Sequence, residues 1–396
     1  MYSVCIMTAS RPKRIFLDYA SITPVDPNVL EKMNASLMES FANPSALYTE
    51  ALTARETMNM ARRDCARVLG SQDNEIVFTS GGTESNNLAL LGVFEHAIQT
   101  GIKKPHIITT TIEHPAVLEV CKEIERRGGE VTYISVNEDG VVSPKDIQKA
   151  ITDSTVLVSV MYANNEIGSI QPIKEIVKGI REWRQQHNTA FPYVHTDACQ
   201  AILYEPIHVI KLGIDLLTLD GIKMYGPRGM GLLYVRTGVV LYPLIFGGGQ
   251  QGGIRSGTEH VASMVGLAYA LDIAESYREI ESERLTKIRD YGINKILETF
   301  PQATINSSRE NRLPNNINIC FPGIDAEFVV ISLDVVGISA SYSSACRTLK
   351  EDSSSYVIEA LGKKDCANSS LRFTLGRETV QGDIDTLVEA LKEIII

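Results

Sequence analysis

The chain has 396 residues, 44% apolar and 22% charged, with 38 Lys and Arg against 48 Asp and Glu for a net charge of −10. These proportions belong to a folded chain long enough for about two to three domains, and they exclude disorder, collagen and a disulfide-dense miniprotein. The acidic balance is a poor match for nucleic-acid phosphates or anionic lipid, though it leaves room for a local pocket that holds one small anion.

No run approaches the ~18 apolar residues that would span a bilayer. The first ten residues are mildly apolar and Arg11, Lys13 and Arg14 follow them. That is the reverse of a signal peptide, so a cytoplasmic protein without a membrane partner is expected. The 7 cysteines form an odd set without a Cys-x-x-Cys pair. That argues against a disulfide framework and a zinc site, and leaves room for one reactive thiol.

In chain order, Glu75–Thr79 reads as a strand, the segment Ser80-Gly81-Gly82-Thr83-Glu84 follows it, and a helix runs to Gln99. Further strands are expected at His106–Thr110, Val131–Val136, Val156–Met161, Tyr193–Thr196, Leu216–Leu219 and Leu232–Val235. Amphipathic stretches such as Pro115–Arg127 and Ile173–His187 lie between several of them. This alternation predicts an α/β fold with a mainly parallel sheet and helices on both faces. Ligands in such sheets sit beyond the carboxyl ends of the strands. A long helix is expected from Val261 to Phe300, with a solvated, charged middle. An α+β stretch with strands near Asn316–Phe321, Ile338–Ser341 and Ser370–Leu375 follows, and a domain boundary is placed near Leu267.

Five motifs carry potential chemistry, each with a plainer reading. Ser80–Glu84 offers free helix N–H groups and the Thr83 hydroxyl to an anion, or is a turn with an N-cap. Asp197 ends an apolar strand, where a carboxylate needs a partner such as a cationic ring nitrogen, or it caps a helix. Lys223 lies in a Gly-rich stretch between two apolar strands. A desolvated lysine there forms Schiff bases, whereas most lysines are simply solvated. Gly247–Gly249 with Arg255-Ser256-Gly257-Thr258 is a second anion loop or a linker. Cys346, in Ser343-Ser344-Ala345-Cys346-Arg347, is an accessible thiol or a small core residue.

Together these segments resemble the cysteine desulfurases, pyridoxal 5'-phosphate (PLP) enzymes of fold type I, the aspartate-aminotransferase-like fold. The carrying motifs are Leu17-Asp18-Tyr19-Ala20, Asn43-Pro44-Ser45, Phe78–Asn87, Glu113-His114, Ala163–Gly168, His195–Ala201, Lys223 with Tyr225-Gly226-Pro227, Gly247–Gln250, Arg255–Thr258, Ser344-Ala345-Cys346 and Arg372–Arg377. They keep the family's order from about residue 15 to the end of the chain. The resemblance implies a large PLP-binding domain over 29–267 and a smaller one formed by 1–28 together with 268–396, which carries the Cys346 loop.

By this likeness Lys223 holds PLP as a Schiff base and later moves protons, and Asp197 pairs with the ring nitrogen, keeping the ring an electron sink. Gln200 bonds the ring's phenolic oxygen. His114 stacks on the ring and serves as acid or base. Gly82 and Thr83 hold the phosphate, and Thr258 reaches the phosphate of the partner subunit in a homodimer. Asn165 and Arg372 bind the carboxylate of L-cysteine, for which a guanidinium fork is well shaped. The Cys346 thiolate then takes the substrate's sulfur as a persulfide, L-alanine leaves, and the sulfur passes to an acceptor protein such as an iron–sulfur scaffold or a tRNA-thiolation protein. The length of the loop from Cys346 to Ser355 resembles the iron–sulfur-assembly branch.

Four positions depart from the family. Asp220 and Ile222 stand where Ser and His are usual, Tyr48 replaces a His, and Ser343 replaces a Gly. A carboxylate ~4 Å from a phosphate charge would repel it by about 4 kcal/mol at an effective dielectric near 20. Asp220 is therefore expected to turn away, be protonated or pair with Arg228 or Arg255, and PLP is expected to be held less firmly than in typical members. The alternatives to a desulfurase are a selenocysteine lyase, a cysteine sulfinate desulfinase, or a non-catalytic binding protein on the same fold.

Overall fold

Apolar β-branched runs alternate in this chain with stretches whose apolar residues recur at helical spacing, and each run takes the element its period favours. A computed structural model describes residues 14–342 and 354–396. In it β1 (Ile15–Phe16) leads into α1 (Pro27–Glu39) and α2 (Thr49–Leu69). Strand and helix then alternate through β2 (Ile76–Thr79), α3 (Gly82–Gln99), β3 (His106–Thr110), α4 (Pro115–Arg126), β4 (Glu130–Ile134), α5 (Pro144–Ala150) and β5 (Thr155–Ser159). They continue as α6 (Ile173–His187), β6 (Tyr193–Asp197), α7 (Val209–Leu212), β7 (Leu216–Asp220) and β8 (Gly231–Val235). After the 39-residue α8 (Val261–Thr299) come β9 (Thr304–Ile305), β10 (Asn316–Cys320), α9 (Ala326–Val335), β11 (Ile338–Ser339), α10 (Tyr356–Ala360), β12 (Ser370–Thr374) and α11 (Gln381–Ile395). The predicted strands and helices are present, with ends displaced by one or two residues.

Seven strands form one sheet in the order β2-β8-β7-β6-β5-β3-β4. All neighbours are parallel except β8, which runs antiparallel to both β2 and β7. The inner strands β3, β5 and β6 are buried along their whole length. That burial is why they read as unbroken apolar runs rather than alternating ones. The carboxyl ends of β3, β6 and β7 and the turn after β2 therefore open at one edge, the position expected for a ligand. Helix α8 buries its first turns from Val261 to Ala274 and its later turns at Leu285, Arg289, Ile293 and Ile296, and exposes the Glu/Arg-rich stretch between them.

A second sheet, β12-β10-β9, is antiparallel. The N-terminal segment joins this end of the molecule: β1 pairs with β11, and Asp18 bridges to Thr374. One expectation fails here. Cys320 and Cys366, 46 residues apart, are joined in a disulfide. Cys320 pairs with Ser370 across β10 and β12, and the turn that precedes β12 folds Cys366 back against it. Such a contact depends on strand pairing, and a search of cysteine spacing does not reveal it.

Gly231 is fixed by contact with the backbone. It lies opposite Thr79 on one side and Asp220 on the other. A Cβ at this position would stand 2.6 Å from the Cα of Gly81. Backbone cannot yield as a flexible side chain does, so Gly231→Ala is expected to cost about 1–3 kcal/mol. An unchanged urea midpoint would contradict this.

Candidate active site

The edge of the large sheet and the N-terminal segment enclose a cleft of about 190 Å³. Lys223, Asp197, His114, Gln200, Gly82, Thr83, Asn165 and Arg372 all line it. Residues spread over nearly 300 positions of sequence thus meet in one place. Thr258 does not: it is exposed and lines a separate surface depression with Leu37, Phe41 and Asn43. Cys346 lies outside the described residues.

Asp197 ends β6, its side chain 9% exposed. One oxygen accepts from the Asn86 amide at 2.7 Å and the other from the Cys199 N–H at 3.0 Å. Two neutral donors hold the carboxylate in place without neutralising its charge, so the Asp retains its negative field for a cationic group in the cleft. Lys223 follows β7 in a short turn, and its Nζ donates to the carbonyls of Ala20 at 2.9 Å and Ser21 at 2.6 Å. The Gln200 amide donates to the same Ala20 carbonyl at 2.9 Å.

His114 caps α4, with Pro115 in the first helical position. Its Nδ1 accepts from the Ala116 N–H at 3.1 Å, which places the proton of the neutral ring on Nε2. Burial lowers its pKa, opposed by Asp197, so the ring is neutral near neutral pH. Arg372, only 2% exposed, is clamped from three sides. It donates to the Asn165 carbonyl at 2.9 Å, to Asp18 at 2.7 Å and to the Ser21 hydroxyl at 3.0 Å. Its Nε is buried without a partner among the described residues. A guanidinium with one anionic partner and an unused N–H suits a further carboxylate.

Of the three options for Asp220, pairing with an arginine is not the one taken. Arg228 is exposed, and Arg255 instead bonds Glu84 at 2.8 Å in the first turn of α3. The second anion loop therefore spends its arginine on that internal pair. Asp220 does not turn away from the helix either: its carboxylate accepts from the Gly82 N–H at 2.8 Å and the Ile222 N–H at 3.1 Å.

Asn86, Ser21 and Asp18 carry no sequence assignment, yet they position Asp197 and Arg372. Asn86 and Asp18 lie inside quoted motifs and Ser21 directly follows one, but only the fold reveals whom they touch. Glu113 is a further case. It is fully buried beside His114, and its Oε1 accepts from the Thr110 hydroxyl at 2.7 Å and the Met161 N–H at 2.9 Å. Burial pushes its pKa up to about 8. The folded value exceeds the unfolded one, so its stabilising contribution is complete below the ordinary carboxylate range and is lost as pH rises through about 8. Relative to Glu113→Gln, the native protein is expected to lose several kcal/mol between about pH 5 and about pH 9 in urea unfolding. Parallel stability profiles would contradict that.

The residues present fit PLP. Asp197, Lys223 and His114 line one cleft, and the start of α3 borders it with Gly82 and Thr83, although the Gly82 N–H is held by Asp220. A model of the class-V aminotransferases matches residues 15–387, and the chain belongs to that family. Its architecture is that of PLP enzymes of fold type I. Within the family it stands with the cysteine desulfurases. Cysteine desulfurase IscS of Dictyoglomus turgidum is 41% identical over 384 residues, 97% of this chain and 95% of its own. Cysteine desulfurase IscS of Clostridium botulinum (strain Hall) is 42% identical over 385 residues, covering 97% and 94%. A solved NifS-like protein superposes with a TM-score of 0.89 at 33% identity, over 97% of this chain and 99% of that one.

Proposed function

We propose that the protein is a PLP-dependent cysteine desulfurase that converts L-cysteine to L-alanine and passes the sulfur to an acceptor protein. The observation that carries this reading is the convergence of Lys223, Asp197, His114, Gln200 and Arg372 on one cleft, in a chain about two-fifths identical to cysteine desulfurases. PLP, when bound, supplies the electron sink that lets the bonds around the substrate's α-carbon be broken.

The chain's own residues do the rest. Lys223 attaches the cofactor and carries the α-proton. Asp197 would pair with the ring nitrogen, while Gln200 and His114 would hold the ring at its oxygen and on its face. Gly82 and Thr83 would hold the phosphate. Arg372 and Asn165 would hold the substrate carboxylate. The Cys346 thiolate would then attack the substrate's sulfur: an S–S bond forms, the C–S bond breaks with its electron pair left on the substrate's β-carbon, that carbon takes up a proton, and L-alanine leaves.

We also place Thr258 at the partner subunit's cofactor in a homodimer. Its exposure beside the exposed side chains of Leu37, Met38 and Phe41 supports this, since an apolar surface of that kind is what a second copy would cover. An iron–sulfur scaffold or a tRNA-thiolation protein fits as the acceptor. The reading is tested by adding L-cysteine without reductant and mapping the chain by mass. A single extra sulfur on the Cys346 peptide, with one alanine formed, is expected. Sulfur on another cysteine, or none, would overturn it.

A further inference from the structure

The cradle at the start of α3 already has an anion of the chain's own. The Oδ2 of Asp220 takes the Gly82 N–H at 2.8 Å, and the Ile222 N–H holds its other oxygen. A Cβ on Gly82 would stand 3.2 Å from Oδ2, and one on Gly81 3.3 Å from it. The carboxylate thus fills the space that a phosphate seated on this helix start needs. Both anions draw on the same Gly82 N–H and the same end of the helix dipole.

The surrounding charges do not release it. Lys223 attracts Asp220 and Asp197 repels it. Cys199 and His114 adjoin it, both feeling its charge. On α3, Glu84 is engaged by the Ser80 N–H and Arg255, so Arg255 is not free to neutralise two anions together. Burial raises the pKa of Asp220, opposed by the N–H donors of Gly82 and Ile222.

We propose that the Asp220 carboxylate and the cofactor's phosphate exclude one another at the Gly82 N–H, so that loading the cofactor takes up one proton at Asp220 and the cofactor is held less firmly as pH rises. The proton comes from solvent and returns to it on release. This rests on the PLP reading above. It makes Asp220 a determinant of cofactor retention and gives the protein a loading step that alkaline pH reverses.

The test uses the full chain freed of cofactor, with pyridoxamine 5'-phosphate as a probe that forms no bond to Lys223 and pyridoxamine as the same ring without phosphate. Affinities are measured for the native chain, Asp220→Ser and Asp220→Asn between about pH 5 and about pH 8, with circular dichroism to confirm folding. Asp220→Ser is expected to bind the phosphorylated probe about ten- to a hundredfold more tightly at about pH 8, the ratio shrinking towards one at about pH 5. Pyridoxamine should show no such difference. Calorimetry in two buffers of different ionisation heat should count about one more proton taken up by the native chain than by either variant. A constant ratio across pH, equal proton counts, or the same gain with pyridoxamine would overturn the proposal while leaving the cofactor reading intact. If PLP itself binds none of the three chains at any pH, the cofactor reading fails and takes the proposal with it.

Discussion

Cys346→Ala is expected to lower sulfide release from L-cysteine by at least about a thousandfold while leaving cofactor binding unchanged. The attacking species must be a thiolate. The other described cysteines are poor rivals. Cys65 is buried with its thiol pushed up to about 12. Burial raises the thiol of Cys121, and burial together with Asp197 and Asp220 raises that of Cys199, which is the one that borders the cleft. Cys320 and Cys366 are bonded to each other. None of these presents a thiolate near neutral pH, which leaves Cys5 and Cys346, and of the two only Cys346 lies in the Ser-Ala-Cys motif shared with the desulfurases. Sulfide release surviving in Cys346→Ala would point instead to a lyase that needs no cysteine of its own, such as one acting on selenocysteine or cysteine sulfinate.

Lys223→Ala is expected to fall by at least about a thousandfold in alanine formation, because in the proposed reaction one group both attaches the cofactor and moves the α-proton. Borohydride should fix PLP to the native chain at this residue and fail to do so in the variant. The ammonium donates to the carbonyls of Ala20 and Ser21, so its loss also frees the N-terminal segment that forms one wall of the cleft. A stability loss of about 1–3 kcal/mol is expected from those two bonds. A variant that keeps more than about a tenth of the native rate would exclude Lys223 from both roles.

Much of this site is legible before any coordinates. Asp197 stands at the end of an apolar strand, where a charge is costly unless it has a partner, and Lys223 between two apolar strands, but each alone has a plain reading and only the ordered set of motifs singles them out. The strands of the large sheet read clearly because full burial removes polar residues from both faces. What escapes the sequence is long-range pairing. Nothing local to Arg372 says that Asp18 and Ser21, some 350 positions away, clamp it. The Cys320–Cys366 bond escapes for the same reason. Asp220 illustrates an intermediate case. Its conflict with a phosphate is visible in the sequence, but its choice of the Gly82 N–H over an arginine follows from where β7 and α3 meet, and from Arg255 being taken by Glu84.

The most direct measurement is the product balance. The PLP-loaded protein is mixed with L-cysteine and a thiol reductant, and sulfide and alanine are assayed together over time. Equal amounts of the two, formed over many turnovers, are predicted. A PLP-loaded protein that releases no sulfide, or alanine without sulfide, would contradict the assignment as a cysteine desulfurase.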